Sequence, residues 1–194
     1  MQDRQTAAGK LSFHPLTADH WDDLVRLFGP PGADGGCWCM WWRTTRSTFA
    51  SNGPEGNKAA LKTIVDCGQV PGILAYRAGQ AVGWCSVAPR QEFGALERSP
   101  VLRRIDDHPV WSIVCFFILK EARGSGIGAA LLDAGLEYVR AQGGTLVEAY
   151  PRSEPGRVPE NEGYMGLQAM YEKAGFTVAG RPAGRHLIMR RALD

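Results

Sequence analysis

A glycine-rich segment suited to binding phosphate groups lies between an apolar stretch and a helical pattern. Its residues are Arg123, Gly124, Ser125, Gly126, Ile127, Gly128 and Ala129. Glycines let a ligand approach the backbone closely, because no Cβ intervenes. A helix that begins here would add unpaired N–H groups and a partial positive charge, and Arg123 would add a cation. The segment therefore predicts a cradle for a phosphate or a diphosphate.

The same glycines are also compatible with a dinucleotide-binding fingerprint, in which Glu148 would bind a ribose. Two features disfavour that alternative. Residues 119–123 separate the apolar stretch from the first glycine, whereas the fingerprint's glycine follows its strand almost at once. Only 46 residues follow Glu148, too few for the rest of a doubly wound sheet. A nicotinamide-dependent oxidoreductase is therefore the weaker alternative.

The elements that would position the glycine-rich segment follow from hydrophobic periodicity and turn residues. Thr17 predicts the N-cap of the first helix. The predicted helices lie at about 17–28, 57–66, 127–142 and 166–174. The predicted strands lie at 10–15, 72–77, 80–87, 110–119, 145–150, 176–178 and 185–192, with a polar loop at 151–163. The helix between the fourth and fifth strands predicts a crossover that leaves those two strands parallel.

Composition limits the class of protein. The 194 residues include 22 basic and 20 acidic ones, so no strongly basic field for nucleic acid is expected. No apolar run approaches the roughly 18 residues that cross a membrane, and the first residues lack a signal core. Five cysteines and four histidines show no metal-ligand spacing, so no metal is expected. The sequence predicts a soluble cytoplasmic protein without a membrane partner.

Two motifs make the sequence similar to the GNAT superfamily of acyl-CoA-dependent N-acyltransferases. Its Arg/Gln-x-x-Gly-x-Gly/Ala signature is matched by residues 123–128, and its Tyr-x-x-x-Gly-Phe stretch by residues 171–176. The resemblance covers residues 70–192 well and residues 10–70 in outline. It implies an α/β (α+β) fold with a mixed, mostly antiparallel sheet, a central parallel pair and flanking helices. We expect one N-acetyltransferase domain over residues 1–194, with residues 10–70 on the acceptor side.

The resemblance also implies roles for individual residues. Residues 123–129 would bind the diphosphate of acetyl-CoA, the acyl donor. The backbone of three residues in the central strand would pair with the pantetheine arm: Phe116, Phe117 and Ile118. Tyr171 would be the general acid that protonates the departing thiolate, since a phenol and a thiol have similar pKa values. Where family members often carry an Asn, seven residues before this Tyr, the chain has Tyr164.

The general base is not fixed by the sequence. Glu148 is the residue we select. The alternatives are water, Glu92, Asp106, Asp107 and His108.

The segment at residues 35–46 holds three tryptophans beside Arg43. Trp38, Trp41 and Trp42 are expected either to line an aromatic pocket for an acceptor amine or to form a small satellite core. The acceptor is then a small-molecule or peptide amine. A non-catalytic module that senses acyl-CoA is the main alternative function, and the sequence leaves open whether the chain forms a homodimer.

Overall fold

The computed structural model describes residues 2–6, 9–152 and 160–194. The strands are β1 (Gln2–Thr6), β2 (Gly9–Pro15), β3 (Gly72–Arg77), β4 (Gln80–Pro89), β5 (Trp111–Ile118), β6 (Leu146–Ala149), β7 (Thr177–Gly180) and β8 (Ile188–Ala192). The α-helices are α1 (Trp21–Phe28), α2 (Arg46–Asp66), α3 (Gly94–Glu97), α4 (Ile127–Ala141) and α5 (Gln168–Lys173). A 3₁₀ segment at Glu160–Met165 precedes α5.

One eight-stranded sheet has the order β1-β2-β3-β4-β5-β6-β8-β7. Every described neighbouring pair is antiparallel except β5 and β6, which are parallel. The helix α4 connects these two strands, as the crossover prediction requires. The predicted mixed, mostly antiparallel sheet with a central parallel pair is confirmed. It also differs from the parallel sheet on which dinucleotide-binding folds depend.

Alternating side chains of β3 enter two different cores, one on each face of the sheet. In β3, Ile73 and Ala75 join the larger core with the apolar side of α4, including Leu131. Leu74 and Tyr76 point the other way, into a core that contains α1 and Trp84. The sheet is therefore covered on both faces, which accounts for the continuous apolar character of its central strands.

A close contact between β4 and the start of α4 fixes the position of the glycine-rich segment. A Cβ added to Gly83 would lie 2.9 Å from Leu131 and 3.2 Å from Ile127. A larger residue at position 83 would therefore force the Leu131 and Ile127 side chains to shift. Gly83 therefore helps to hold the N-terminus of α4 beside the end of β5.

The N-terminal part departs from the predictions in three places. β1 was not expected, because its sequence QDRQT carries no apolar alternation. Thr17 makes no capping hydrogen bond, and α1 starts only at Trp21 after a 3₁₀ turn at Ala18–His20. α2 begins at Arg46 rather than near residue 57, and it is broken at Gly53 (φ 59°). The Thr45 side chain, which accepts from the Thr48 N–H at 3.1 Å, explains the earlier start.

Most of the predicted polar loop at 151–163 lies outside the described residues. In the part of the chain that the structure describes, no helix combines the length and the apolar character needed to cross a bilayer.

Candidate active site

The parallel strands β5 and β6 pair over only three residues and then separate. The paired residues are Trp111 with Val147, Ser112 with Glu148, and Ile113 with Ala149. β5 continues to Ile118, where it still pairs with β4 on its other side. The edge of β5 from Val114 onward therefore has no partner among the described strands, and its amides can pair with an inserted chain.

The glycine-rich segment forms an open turn at the end of this edge. Gly124 and Gly126 have φ values of 73° and 85°, a left-handed backbone that favours glycine. A Cβ at either position would meet no atom within 4 Å, so both face open space. The first helical hydrogen bond runs from the Ala130 N–H to Gly126. The amides of residues 127–129 precede this bond and remain available to an anion.

The other residues of the segment divide between structural and exposed positions. The Ile127 side chain is buried in the core, so only its amide belongs to the cradle. The Ser125 hydroxyl donates to the Ala122 carbonyl at 2.6 Å and closes the turn. Arg123 is exposed, and its Nε donates to the Ile118 carbonyl at 3.1 Å. The guanidinium is thereby held between the end of β5 and the open turn.

A cavity of about 350 Å³ connects the open turn with the free edge of β5. We call it the cradle cavity. Its lining consists of Phe116, Ile118, Arg123, Gly124, Gly128, Gly163, Tyr164, Gly166, Leu167 and Met170. The cradle cavity thus offers exposed amides at one end and a strand edge along its length, which suits a diphosphate attached to an amide-bearing arm.

A second cavity, of about 410 Å³, meets the cradle cavity at Tyr164. We call it the aromatic cavity. Its lining consists of Ala33, Asp34, Gly35, Cys37, Cys39, Trp41, Trp42, Phe49, Val114, Cys115, Phe117, Tyr164 and Met165. Phe117 lines this cavity whereas Phe116 and Ile118 line the cradle cavity, because successive residues of a strand face opposite sides. Tyr164 lines both cavities.

The three tryptophans of the 35–46 segment have two different roles. Trp38 is buried against Trp21 and Phe28 in the core under α1. Trp41 and Trp42 line the aromatic cavity, and Trp41 is 44% exposed. Trp38 therefore belongs to the core, whereas Trp41 and Trp42 line a cavity, and an acceptor amine in that cavity stays a prediction.

Three thiols line the aromatic cavity, and at least two of them remain protonated. The neighbouring Cys39 thiol and burial raise the pKa of Cys37 far above its usual value. Contact with Cys115 and burial likewise raise the pKa of Cys39. The Trp84 Nε1–H donates to the Cys39 sulfur at 3.0 Å. Because the thiolate is the nucleophilic form, these cysteines are poorly suited to covalent catalysis.

Tyr171 is completely buried in the core, beneath the lining of the cradle cavity. Its hydroxyl donates to the Met165 carbonyl at 2.9 Å. A Cβ at Gly166 would touch the Tyr171 ring at 2.8 Å, so the ring lies directly under residue 166 of the cradle cavity. Burial raises the pKa of Tyr171 well above 10, so its phenol keeps its proton at neutral pH.

Glu148 lies in a buried network of charges rather than in either cavity. It is 1% exposed, and its carboxylate accepts from Arg90 at 2.8 Å and from Arg190 at 2.7 Å. The Tyr150 hydroxyl donates to the same carboxylate at 2.7 Å. Both carboxylate oxygens are occupied by these donors, and Glu148 lines neither cavity. This placement speaks against the role of base that we expected for Glu148.

The other residues expected as bases also lie outside the linings of the two cavities. Glu92 pairs with Arg43 at 3.1 Å, and Asp106 pairs with Arg190. Asp107 and His108 line neither cavity. Asp34 is the acidic residue among the described lining of the aromatic cavity, and its position within a glycine-rich loop gave no sign of this in the sequence.

Among the residues that the structure describes, no group of His, Cys, Asp and Glu side chains could hold a metal ion. The cysteines are all free thiols.

Comparisons with known proteins bear on this site. Residues 38–176 match the Acetyltransferase (GNAT) family profile. A search of curated proteins by sequence gave no match. Among solved structures, a GNAT-family acetyltransferase from Listeria monocytogenes 4b F2365 is similar with a TM-score of 0.61 and 12% identity, covering 99% of this chain and 100% of its own.

Two further structures share the fold at low identity. The PaiA N-acetyltransferase of Thermoplasma acidophilum, in complex with coenzyme A, has a TM-score of 0.55 and 13% identity, covering 94% of this chain and 99% of its own. The histone acetyltransferase HPA2 and related acetyltransferase from Corynebacterium glutamicum ATCC 13032 has a TM-score of 0.54 and 19% identity, covering 93% and 94%. The profile match extends over more than half of the 194 residues and includes the open turn and Tyr171. The chain therefore belongs to the GNAT acetyltransferase family.

Proposed function

We propose that the protein transfers an acetyl group from acetyl-CoA to the amine of a small molecule or peptide by direct attack. One observation carries this proposal. The open turn and the free edge of β5 lead along the cradle cavity to Tyr164, where the aromatic cavity begins. An acyl donor bound on one side and an amine on the other would meet at this ring.

The residues of the cradle cavity fit a coenzyme A donor. The amides of residues 127–129 and Arg123 would bind its diphosphate. The backbone of residues 114–118 would pair with its pantetheine amides. The PaiA enzyme, with coenzyme A bound, has the same fold, which supports this assignment.

The reaction needs one group that protonates the departing sulfur and one that accepts the proton lost by the amine. The neutral acceptor amine attacks the thioester carbonyl, the carbon–sulfur bond breaks, and an amide and a thiol result. Tyr171 would supply the proton that the departing sulfur takes up. Burial raises its pKa, so the phenol holds its proton at neutral pH, and the same shift makes it a weaker acid than the free phenol whose pKa resembles that of a thiol.

Tyr164 is a second candidate for the same proton, because its ring lines both cavities whereas Tyr171 lines neither. Burial and the charge of Asp34 raise the pKa of Tyr164, so it too is protonated at neutral pH. The proton that the amine loses would pass to Asp34 or to water, since Asp34 is the acid at the aromatic cavity.

Calorimetric titration with acetyl-CoA, CoA and NAD, followed by thiol-release assays on a panel of amines, tests the proposal. We expect binding of both coenzyme A forms, no binding of NAD, and thiol release that depends on the amine. Tight CoA binding without thiol release from any amine would instead favour a module that senses acyl-CoA. Preferential binding of NAD would contradict both assignments.

A further inference from the structure

A large basic cavity adjoins the aromatic cavity on the side away from the open turn. Its volume is about 770 Å³, and it lies between the start of α2, the segment after α3 and the β7–β8 connection. Its lining includes Trp42, Arg46, Arg98, Arg152, Arg185 and His186. Among the described residues, no aspartate or glutamate lines it. We call it the basic cavity.

The basic cavity and the aromatic cavity share a wall. Trp42 lines both of them. The Arg46 guanidinium lies 3.3 Å from the ring centre of Trp41 and 5.3 Å from that of Trp42, and it donates to the Trp41 carbonyl. These contacts hold a cation at the boundary between the two cavities, within reach of a molecule that occupies both.

The acidic residues nearest to the basic cavity already have other partners. Glu97 pairs with Arg90 and Arg104 at 2.6 and 2.8 Å, and Asp106 pairs with Arg190. Arg46 and Arg98 form no ion pair with the residues that the structure describes. Arg152 and Arg185 make interactions of their own, so Arg46 and Arg98 are the two charges on which the inference depends.

A concentration of like charge beside an acceptor site has two consequences. It repels a simple alkylammonium ion, so an acceptor must bring negative charge to enter favourably. Planar guanidinium groups bind carboxylates and phosphates with paired hydrogen bonds, and their positive field favours the neutral form of a nearby amine. Both effects select the same kind of molecule.

We propose that the basic cavity binds a carboxylate or phosphate group of the acceptor, so that the substrates are amines that also carry an anionic group. The inference rests on the proposed acetyl transfer and specifies its substrate class. The apolar part of such an acceptor would lie against Trp41 and Trp42, and its amine would face Tyr164.

Matched amines test this proposal in the full-length protein with its open turn occupied, by CoA in calorimetry and by acetyl-CoA in the transfer assay, which removes the turn as an alternative anion site. Phenylalanine is compared with phenylalaninamide, and phosphoethanolamine with ethanolamine, by calorimetry and by acetyl transfer from acetyl-CoA. We expect the anionic member of at least one pair to bind about tenfold or more tightly, as charge-assisted hydrogen bonds would give. The pair that shows the preference identifies the anionic group.

The variants Arg98→Gln and Arg46→Gln should each reduce binding of the anionic member about tenfold and change the neutral member less than twofold. Arg140→Gln is the matched control, because Arg140 is exposed on the last turn of α4 and is absent from the linings of the cradle, aromatic and basic cavities. Equal binding within both pairs, or an anionic preference unaffected by Arg98→Gln and Arg46→Gln, would overturn the proposal. Absence of both CoA binding and thiol release would instead contradict the proposed acetyl transfer, and calorimetry on the free protein would then decide the anionic preference.

Discussion

The cradle cavity lies against a glycine-rich turn and a strand edge, whereas the wall of the basic cavity rests on a buried ion pair. Gly83 and the open turn position the cradle cavity through local backbone geometry. The wall of the basic cavity is instead held by Arg90, which donates to Glu97, Glu148 and the Leu102 carbonyl. We therefore expect the cradle cavity to be disrupted by substitutions that add bulk. The basic cavity should be disrupted by substitutions that remove charge.

The largest effect is expected from Glu148→Ala. Removing one member of a buried ion pair leaves Arg90 with Glu97 as its one carboxylate partner, and it costs up to about 3–5 kcal/mol of the free energy of unfolding. Urea unfolding measures this loss, with Glu121→Ala at an exposed position as the control. A loss below about 1 kcal/mol, the range of an exposed pair, would show that the network does not support the acceptor side as we infer.

The second effect is expected at the open turn. Gly126→Glu places bulk and negative charge among the amides, and acetyl-CoA should bind at least about 100-fold more weakly, or about 2.7 kcal/mol. Gly143→Glu is a close control, because Gly143 also has a positive φ, 76°, and open space around it, but lies at the far end of α4. Equal acetyl-CoA affinities of the two variants by calorimetry would remove the open turn from the donor site.

The third effect separates the two tyrosines. Tyr171→Phe should lower kcat roughly 100-fold, the usual size of a general-acid contribution, and leave the acetyl-CoA dissociation constant within about threefold. Tyr164→Phe should then lower kcat by less than about tenfold. If the two variants exchange these effects, Tyr164 is the proton donor, as its position in both cavities would allow.

The smallest expected effect is on the stability of the folded protein at acidic pH. Hydrogen bonds from Arg190 hold the pKa of Asp106 well below its usual value. The folded pKa is thus lower than the unfolded one, so the stabilisation is complete above about pH 4 and is lost as the pH falls further. The urea midpoint should fall less between pH 5 and pH 3 in Asp106→Asn than in the unsubstituted protein. Parallel pH profiles would assign the acid sensitivity to other carboxylates.

The contrast between the cradle cavity and the basic cavity also explains which features the sequence could predict. The open turn, its helix and the flanking strands are encoded by neighbouring residues, so periodicity and glycine spacing identified them. The basic cavity brings together Arg46, Arg98 and His186, which are far apart in the chain and follow no local pattern. Glu148 had no visible partner in the sequence, because Arg90 and Arg190 lie 58 and 42 residues away from it.

The sequence could not show which tryptophans of the 35–46 segment enter the core, because this depends on unusual backbone angles. Trp38 and Cys39 adopt left-handed backbone angles, with φ values of 42° and 53°. Such angles are uncommon for residues with a Cβ, and composition alone does not reveal them. They change the direction of the chain, so that Trp38 enters the core while Trp41 and Trp42 reach the aromatic cavity.

The Tyr164 ring borders both the cradle cavity and the aromatic cavity, so a ligand that moves this ring would couple the two spaces. Any displacement of Tyr164 by a molecule in the cradle cavity changes the shape of the aromatic cavity. By linkage, the factor by which the first ligand alters affinity for the second equals the factor in the reverse direction. Tyr164 is therefore the side chain at which we expect a ligand in one cavity to alter affinity for a ligand in the other.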